Sequence, residues 1–135
     1  MFYQHNWLIY ELPPKWCYEE DNENLFLYNP KGKGAITISF LNVKNADTAL
    51  NMHISIIANN FILQNNIKLS APLILHSTES KTTLSGSGTT EDGEYIKLSI
   101  VAKHPKIALV TYQSERENSE VKDFDSIVNS MHFSF

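Results

Sequence analysis

The sequence predicts an α+β fold, a mainly antiparallel sheet packed with two helices. Three observations predict it. Two stretches repeat apolar residues at spacings of three and four, as the buried face of a helix does. Several shorter stretches alternate apolar and polar residues, as half-buried strands do. Turn residues join most of these strands directly, without the long crossovers that parallel strands need. The 135 residues, 42% hydrophobic and 19% charged, are expected to form a single domain over 1–135 with one core.

The first strand is expected at Trp7–Tyr10, ended by Pro13 and Pro14, which lack an N–H and fix φ. Trp16–Tyr18 reads as a second short strand, Glu19–Asn24 as an acidic loop, and Leu25–Tyr28 as a third strand. The stretch YNPKGKGAITISF then poses a choice between a phosphate loop and a turn. A phosphate loop needs G-x-x-x-x-G-K-[ST] leading into a helix, so that N–H groups meet the phosphate. Here Gly32 and Gly34 stand two apart, and the residues beyond them alternate, with Ile36, Ile38 and Phe40 on one face. The stretch reads as a hairpin turn.

A helix is expected from about Ala46 to Asn65, capped by Asn45, with Asp47 suiting its first turn. Ala46, Leu50, Ile54, Ile57, Ala58 and Phe61 make its apolar face, and Asn65 and Asn66 its stop. A meander comes next: a short apolar run at Pro72–Leu75, a polar strand from Thr82 to Thr90, a turn at Glu91–Gly93, a strand from Glu94 to Lys103, and a tight connection at His104–Lys106. Ile107–Tyr112 is apolar on both faces, as a strand near the sheet centre should be. Ser114 and Glu117 fit a capping box for the last helix, with Asn118 or Ser119 as a later start. Val121, Phe124, Val128 and Met131 form its apolar stripe, and Phe133 and Phe135 are expected at a sheet edge.

Charge and composition exclude several functions. The net charge is −4, and the ten lysines are scattered around one arginine, Arg116. Nucleic-acid binding needs clustered cations, so no nucleic-acid partner is expected. No apolar run is long enough to cross a bilayer, so no membrane insertion is expected. The N-terminal residues make a poor signal peptide, and the lone Cys17 cannot form an internal disulfide; a reducing cytoplasm fits both.

Candidate chemistry is sparse. Gly86-Ser-Gly-Thr-Thr90 admits an anion nest, but glycines on one strand face more simply let another group approach closely. The five histidines lack the H-x-x-x-H spacing of a helical metal site, and His76 with Glu79 is the nearest mixed pair. No metal or cofactor is expected. There is no G-x-S-x-G elbow, and Cys17, between Trp16 and Tyr18, reads as an inert thiol. The aromatics of the first quarter, among them Trp7, Trp16, Tyr18, Phe26 and Tyr28, are expected mostly in the core. Thr89, Thr90, Glu91, Asp92 and Gly93 form the candidate binding loop, a polar turn beside the glycine-rich strand.

The order of these motifs resembles the Mog1/PsbP-like superfamily. An opening strand leads to ELPPKW, then LFLYNPKGKGAITISF, a helix, a meander, and a closing FDSIVNSMHFSF. More narrowly it is similar to uncharacterised bacterial families of that fold, such as DUF3805. Leu12-Pro13-Pro14-Lys15-Trp16 matches an LPxxW start, with Lys15 where glycine is often found. The resemblance covers nearly the whole chain and implies an α/β/α sandwich. It implies binding more than catalysis, since superfamily members include a partner of a small GTPase, a photosystem subunit and secretion adaptors. It carries over no functional residue, and fold does not choose among such roles. The expected function is a non-catalytic cytoplasmic protein-binding or adaptor domain whose partner is another protein. Two alternatives stand beside it. One is a small ligand-binding protein or enzyme whose site gathers distant residues such as His104, Glu91 and Asp92. The other is a self-associating structural subunit.

Overall fold

The computed structural model describes residues 1–43 and 49–135. It opens with a hairpin in which β1 (Phe2–His5) pairs antiparallel with β2 (Leu8–Glu11), Tyr3 opposite Tyr10. Pro13 and Pro14 come directly after β2, as expected. Lys15 has φ 75°, in the left-handed region where a side chain costs energy and glycine does not. That backbone is one that a glycine would adopt without the cost. Lys15→Gly is expected to raise the unfolding free energy by about 0.5–1 kcal/mol, seen as a higher urea midpoint at unchanged slope.

A second hairpin joins β3 (Cys17–Glu20) to β4 (Asn24–Tyr28). The expected acidic loop is therefore shorter than the sequence suggested. Glu19 and Glu20 belong to β3, an edge strand whose outer side tolerates charge. The remaining turn is tied by the Asp21 carboxylate, which accepts the N–H groups of Glu23 and Asn24 at 2.8 and 2.7 Å. These two bonds hold its pKa below the usual value. Across the next turn β4 pairs with β5 (Gly34–Asn42), so the GKG stretch is a hairpin connection. Ile36 and Ile38 are fully buried and Phe40 packs beside them.

The first helix, α1 (Leu50–Gln64), begins after Ala49, whose backbone is extended and which supplies no side-chain cap. The expected cap Asn45 and the residues Ala46 and Asp47 lie outside the described residues. The stop is where the sequence placed it: Asn65 N–H donates to the Phe61 carbonyl, and Asn66 takes a left-handed φ of 52°. Two short strands, β6 (Lys68–Leu69) and β7 (Ile74–Ser77), both pair with β8 (Thr82–Thr89). The expected run at Pro72–Leu75 enters a strand only from Ile74, and β6 is too short to show a period. Then β9 (Tyr95–Lys103) and β10 (Lys106–Ser114) complete the meander, and β10 returns to pair with β5. The large sheet runs β3-β4-β5-β10-β9-β8-β6, which puts β10 in its middle and accounts for its two apolar faces.

The last helix, α2 (Glu120–Ser130), takes the later of the two expected starts. The Ser114–Glu117 capping box does not form, because β10 stays paired on both sides through Ser114. Asn118 Oδ1 instead accepts the Glu120 N–H at 2.8 Å. At the other end, Lys81 Nζ donates to the carbonyls of Val128, Asn129 and Met131 at 3.3, 3.0 and 2.7 Å, a cation on the negative end of the helix. Finally β11 (His132–Phe133) pairs with β2, making a small sheet β1-β2-β11.

Side-chain alternation sorts the core into two layers. Ile100, Ala102 and Ile107 pack against Ile54 and Ala58 of α1. Val101, Ala108, Val110 and Tyr112, on the opposite face, pack against Phe124, Ile127 and Val128 of α2 and against Leu8 and Tyr10 of the small sheet. The result is the expected α/β/α arrangement. Trp16 is buried within the second layer and donates to Asp123 Oδ2 at 3.1 Å. Of the early aromatics expected in the core, only Trp16 is buried: Trp7 packs against the core, Phe26 and Tyr28 are half-buried on the face of β4 opposite Leu25 and Leu27, and Tyr18 is 47% exposed.

Candidate functional site

The loop singled out from the sequence is the turn between β8 and β9. Gly93 has φ 84°, its N–H donates to the Thr90 carbonyl at 2.9 Å, and Thr90 Oγ1 accepts the Glu94 N–H at 3.1 Å. Glu91 accepts a bond from Asn66 Nδ2 at 3.2 Å, tying the turn to the end of α1. Asp92 and Gly93 are exposed. His104 does not join Glu91 and Asp92. It lies at the other end of the nine-residue β9, a separation of about 30 Å at the usual rise of a strand. His76 and Glu79 are both exposed, and among the described residues no three His, Cys, Asp or Glu side chains gather as metal ligands would.

The glycine strand serves packing. A Cβ on Gly86 would lie 2.6 Å from Leu73 Cδ2, and one on Gly88 would strike the Lys68 carbonyl. An apolar side chain covers the first glycine and the β6 backbone covers the second, so neither position is open to an anion.

The GKG turn does hold an anion, but one from the chain itself. The N–H groups of Lys33 and Gly34 donate to Glu120 Oε1 at 3.1 and 3.0 Å, and the Tyr112 hydroxyl donates to the same oxygen at 2.8 Å. Glu120 is 8% exposed, at the first turn of α2 where the helix dipole favours a negative charge. A Cβ on Gly32 would fall on Glu120 Oε2. Burial holds the Tyr112 phenol above its ordinary pKa, and its bond to Glu120 adds to this. Beside this latch an open groove of about 540 Å³ is lined by Lys33 and Arg116 but also by Glu115 and Glu117. Cations and carboxylates offset one another there, so the groove selects neither sign. A smaller polar groove between α2 and the sheet holds the Lys97–Asp125 ion pair at 2.6 Å and the Ser85–Ser99 hydroxyl pair at 2.9 Å.

The surface with the least conventional chemistry is the outer side of α1. Leu50–Gln64 contains no Asp, Glu, Lys or Arg. Its inner residues Ile54 and Ala58 are buried, while Met52, Ile56 and Leu63 are 61, 51 and 74% exposed. Those three stand at i, i+4 and i+11, within one stripe of a 3.6-residue helix. A helix at a protein surface ordinarily turns charged and polar residues outward. The absence of charge is visible in the sequence. The inner stripe is the more conspicuous there because its apolar residues repeat more often.

No protein-family model matches the chain, and no curated protein matches it. Solved structures do match. The solution structure of cyanobacterial PsbP (CyanoP) from Synechocystis sp. PCC 6803 has a TM-score of 0.70 at 12% identity, covering 98% of this chain and 91% of that one. The chain has a Mog1/PsbP-like fold. A crystal structure from Bacteroides thetaiotaomicron VPI-5482 matches with a TM-score of 0.66 at 16% identity over 94% of this chain. This chain spans 45% of the length of that Bacteroides chain. Identities this low carry the fold and nothing finer, and the narrower likeness to DUF3805 gains no support from them. Among the described residues no helix is long and apolar enough to cross a membrane.

Proposed function

We propose that this chain is a non-catalytic protein-binding domain and that the outer face of α1 is its docking surface. One observation carries the proposal: a helix without a charged residue presents Met52, Ile56 and Leu63 to solvent. Met52 and Ile56 stand one turn apart and the exposed Asn59 lies between Ile56 and Leu63, so the face is uncharged and partly apolar, the character of an interaction surface. The partner is a protein with an uncharged apolar groove that receives α1 in the helix-in-groove mode. A charge set against Met52 or Leu63 would lose water and gain nothing in return.

Size argues for a different protein rather than a second copy. Fifteen residues make a helix about 22 Å long and about 10 Å wide, and one such face falls well short of the ~800 Å² per partner of a standard interface. Two copies meeting along this stripe would bury too little to stay together, whereas a groove can wrap the helix on more than one side. The net charge of −4 supports a protein partner over nucleic acid, and the free Cys17 supports a reducing cytoplasm.

The double variant Met52→Lys/Leu63→Lys tests this. Both residues are exposed, so folding stability is expected to change by less than about 0.5 kcal/mol. Native mass spectrometry of the wild-type chain captured gently from its own lysate is expected to show a second polypeptide at fixed stoichiometry, and the double variant is expected to lose it. Retention of that polypeptide by the variant, or a concentration-dependent dimer of the chain alone, would overturn the reading.

A further inference from the structure

The two edges of the large sheet differ. At one, β3 carries the exposed Glu19 and Glu20. Charges on an edge strand keep other strands from adding to it. At the other, β6 and β7 both lie along the outer side of β8, and β6 carries the exposed Lys68. β7 has no such guard. From Ser70 to Thr78 there is no Asp, Glu, Lys or Arg, and every residue of β7 is exposed. Ile74 and Leu75 are 71 and 48% exposed.

The phase of the ladder fixes what β7 presents. Thr78 N–H donates to the Lys81 carbonyl at 2.8 Å, so the β7–β8 turn closes on a hydrogen-bonded pair. Bonded and non-bonded pairs alternate along antiparallel strands. His76–Thr83 and Ile74–Ser85 are therefore bonded pairs, and Ser77–Thr82 and Leu75–Leu84 are not. The side chains agree: Ser77 Oγ and Thr82 Oγ1 stand 3.2 Å apart, the close approach of a non-bonded pair. The N–H and C=O groups of Leu75 and Ser77 thus point away from β8. Among the described residues no strand lies beyond β7, and no turn or loop backbone bonds to those groups.

Donors and acceptors that recur every second residue match the backbone of one more strand. We propose that β7 takes up an extended segment of another protein as an added antiparallel strand of the large sheet. The antiparallel sense continues the rest of the sheet and gives the more stable ladder. Ile74 and Leu75 point to opposite faces, so the segment carries apolar residues at neighbouring positions and no charge in its middle. Glu79 is exposed just beyond the end of β7 and favours Lys or Arg at the start of the segment. A second copy of the chain is the poorer occupant. The four residues of β7 span about 13 Å, and two such strands meeting edge to edge fall far short of the ~800 Å² per partner of a standard interface. The site does not rest on docking at α1 and fails separately from it.

Amide exchange followed by two-dimensional NMR tests this. In the free chain the N–H groups of Leu75 and Ser77 are expected to exchange about tenfold faster than those of Ile74 and His76. The probe is the peptide acetyl-KTVIVT-amide, with an expected dissociation constant of about 0.1–1 mM. At saturation Leu75 and Ser77 should slow to the rate of their neighbours, while the α1 amides stay unchanged. Two analogues, N-methylated either at both valines or at the isoleucine and both threonines, separate a ladder from mere apolar contact. Alternate N–H groups face β7, so one analogue should lose binding and the other keep it. Ile74→Lys places a charge on the edge and is expected to weaken binding about tenfold. Its melting temperature should move by no more than about 2 °C, since the side chain is exposed. Equal exchange along β7 in the free chain, no saturable binding up to about 10 mM peptide, equal binding by both analogues, or a dimer of the chain alone protected at Leu75 and Ser77 would overturn the proposal.

Discussion

Glu120→Ala is expected to lower the unfolding free energy by about 3 kcal/mol, because it strips one acceptor from three donors at once. The donors are not equal. Water can reach the N–H of the exposed Lys33 and that of the half-buried Gly34, so each loses only part of a charge-assisted bond. The Tyr112 hydroxyl is the costly one, since that residue is fully buried and keeps only weaker neighbours, Ser114 and an Asn118 that stands 3.4 Å from the oxygen as acceptor and 3.2 Å as donor. Tyr112→Phe removes that donor instead of orphaning it and is expected to cost about 1.5–3 kcal/mol, the worth of one bond to a charged group. Glu120→Gln keeps an acceptor oxygen and should fall between wild type and alanine. Urea unfolding of the three variants at constant slope orders them. A loss under about 0.5 kcal/mol for alanine would mean that the GKG turn holds its shape without the carboxylate.

Gly34→Ala is expected to cost about 3 kcal/mol or more by overpacking. A Cβ at this position would press on the Gln113 carbonyl oxygen and lie 2.8 Å from the Tyr112 ring. Neither neighbour is free to move. Gln113 is held in the central strand β10 between β5 and β9, and Tyr112 is pinned by its bond to Glu120. The same crowding would push Tyr112 off Glu120, so the loss should not add fully to that of Glu120→Ala in the double variant. Calorimetric melting of the two single variants and the double measures this coupling. Additive losses would show that the turn and the latch are separate.

Both effects come from a contact that the sequence could not disclose. Reading YNPKGKG as a turn was sound because strand alternation resumed immediately beyond it. The groups that make its glycines necessary lie far along the chain, Glu120 against Gly32 and Tyr112 with Gln113 against Gly34. Local signals served well where structure is local. The hairpin from β4 to β5, the central place of β10 and the asparagine stop of α1 all come from alternation, two-sided apolarity and turn chemistry. They failed where tertiary pairing overrides them. β1 has no fully buried residue and becomes a strand by pairing with β2. Ser114 looks like a helix cap in isolation, yet strand pairing claims it. The outer face of α1 was legible, as fifteen residues without a charge, but a helix needs only its inner stripe to be recognised as one.

Hydrogen exchange on the captured complex tests the docking surface most directly. The free chain and the chain bound to its partner are compared peptide by peptide, with exchange of the exposed α1 amides monitored from residue 50 to residue 64. The proposed docking predicts added protection concentrated in α1, with the GKG turn and the β8–β9 turn unchanged. Protection that spares α1 and falls on either turn, or on the edge strand β3, would contradict it.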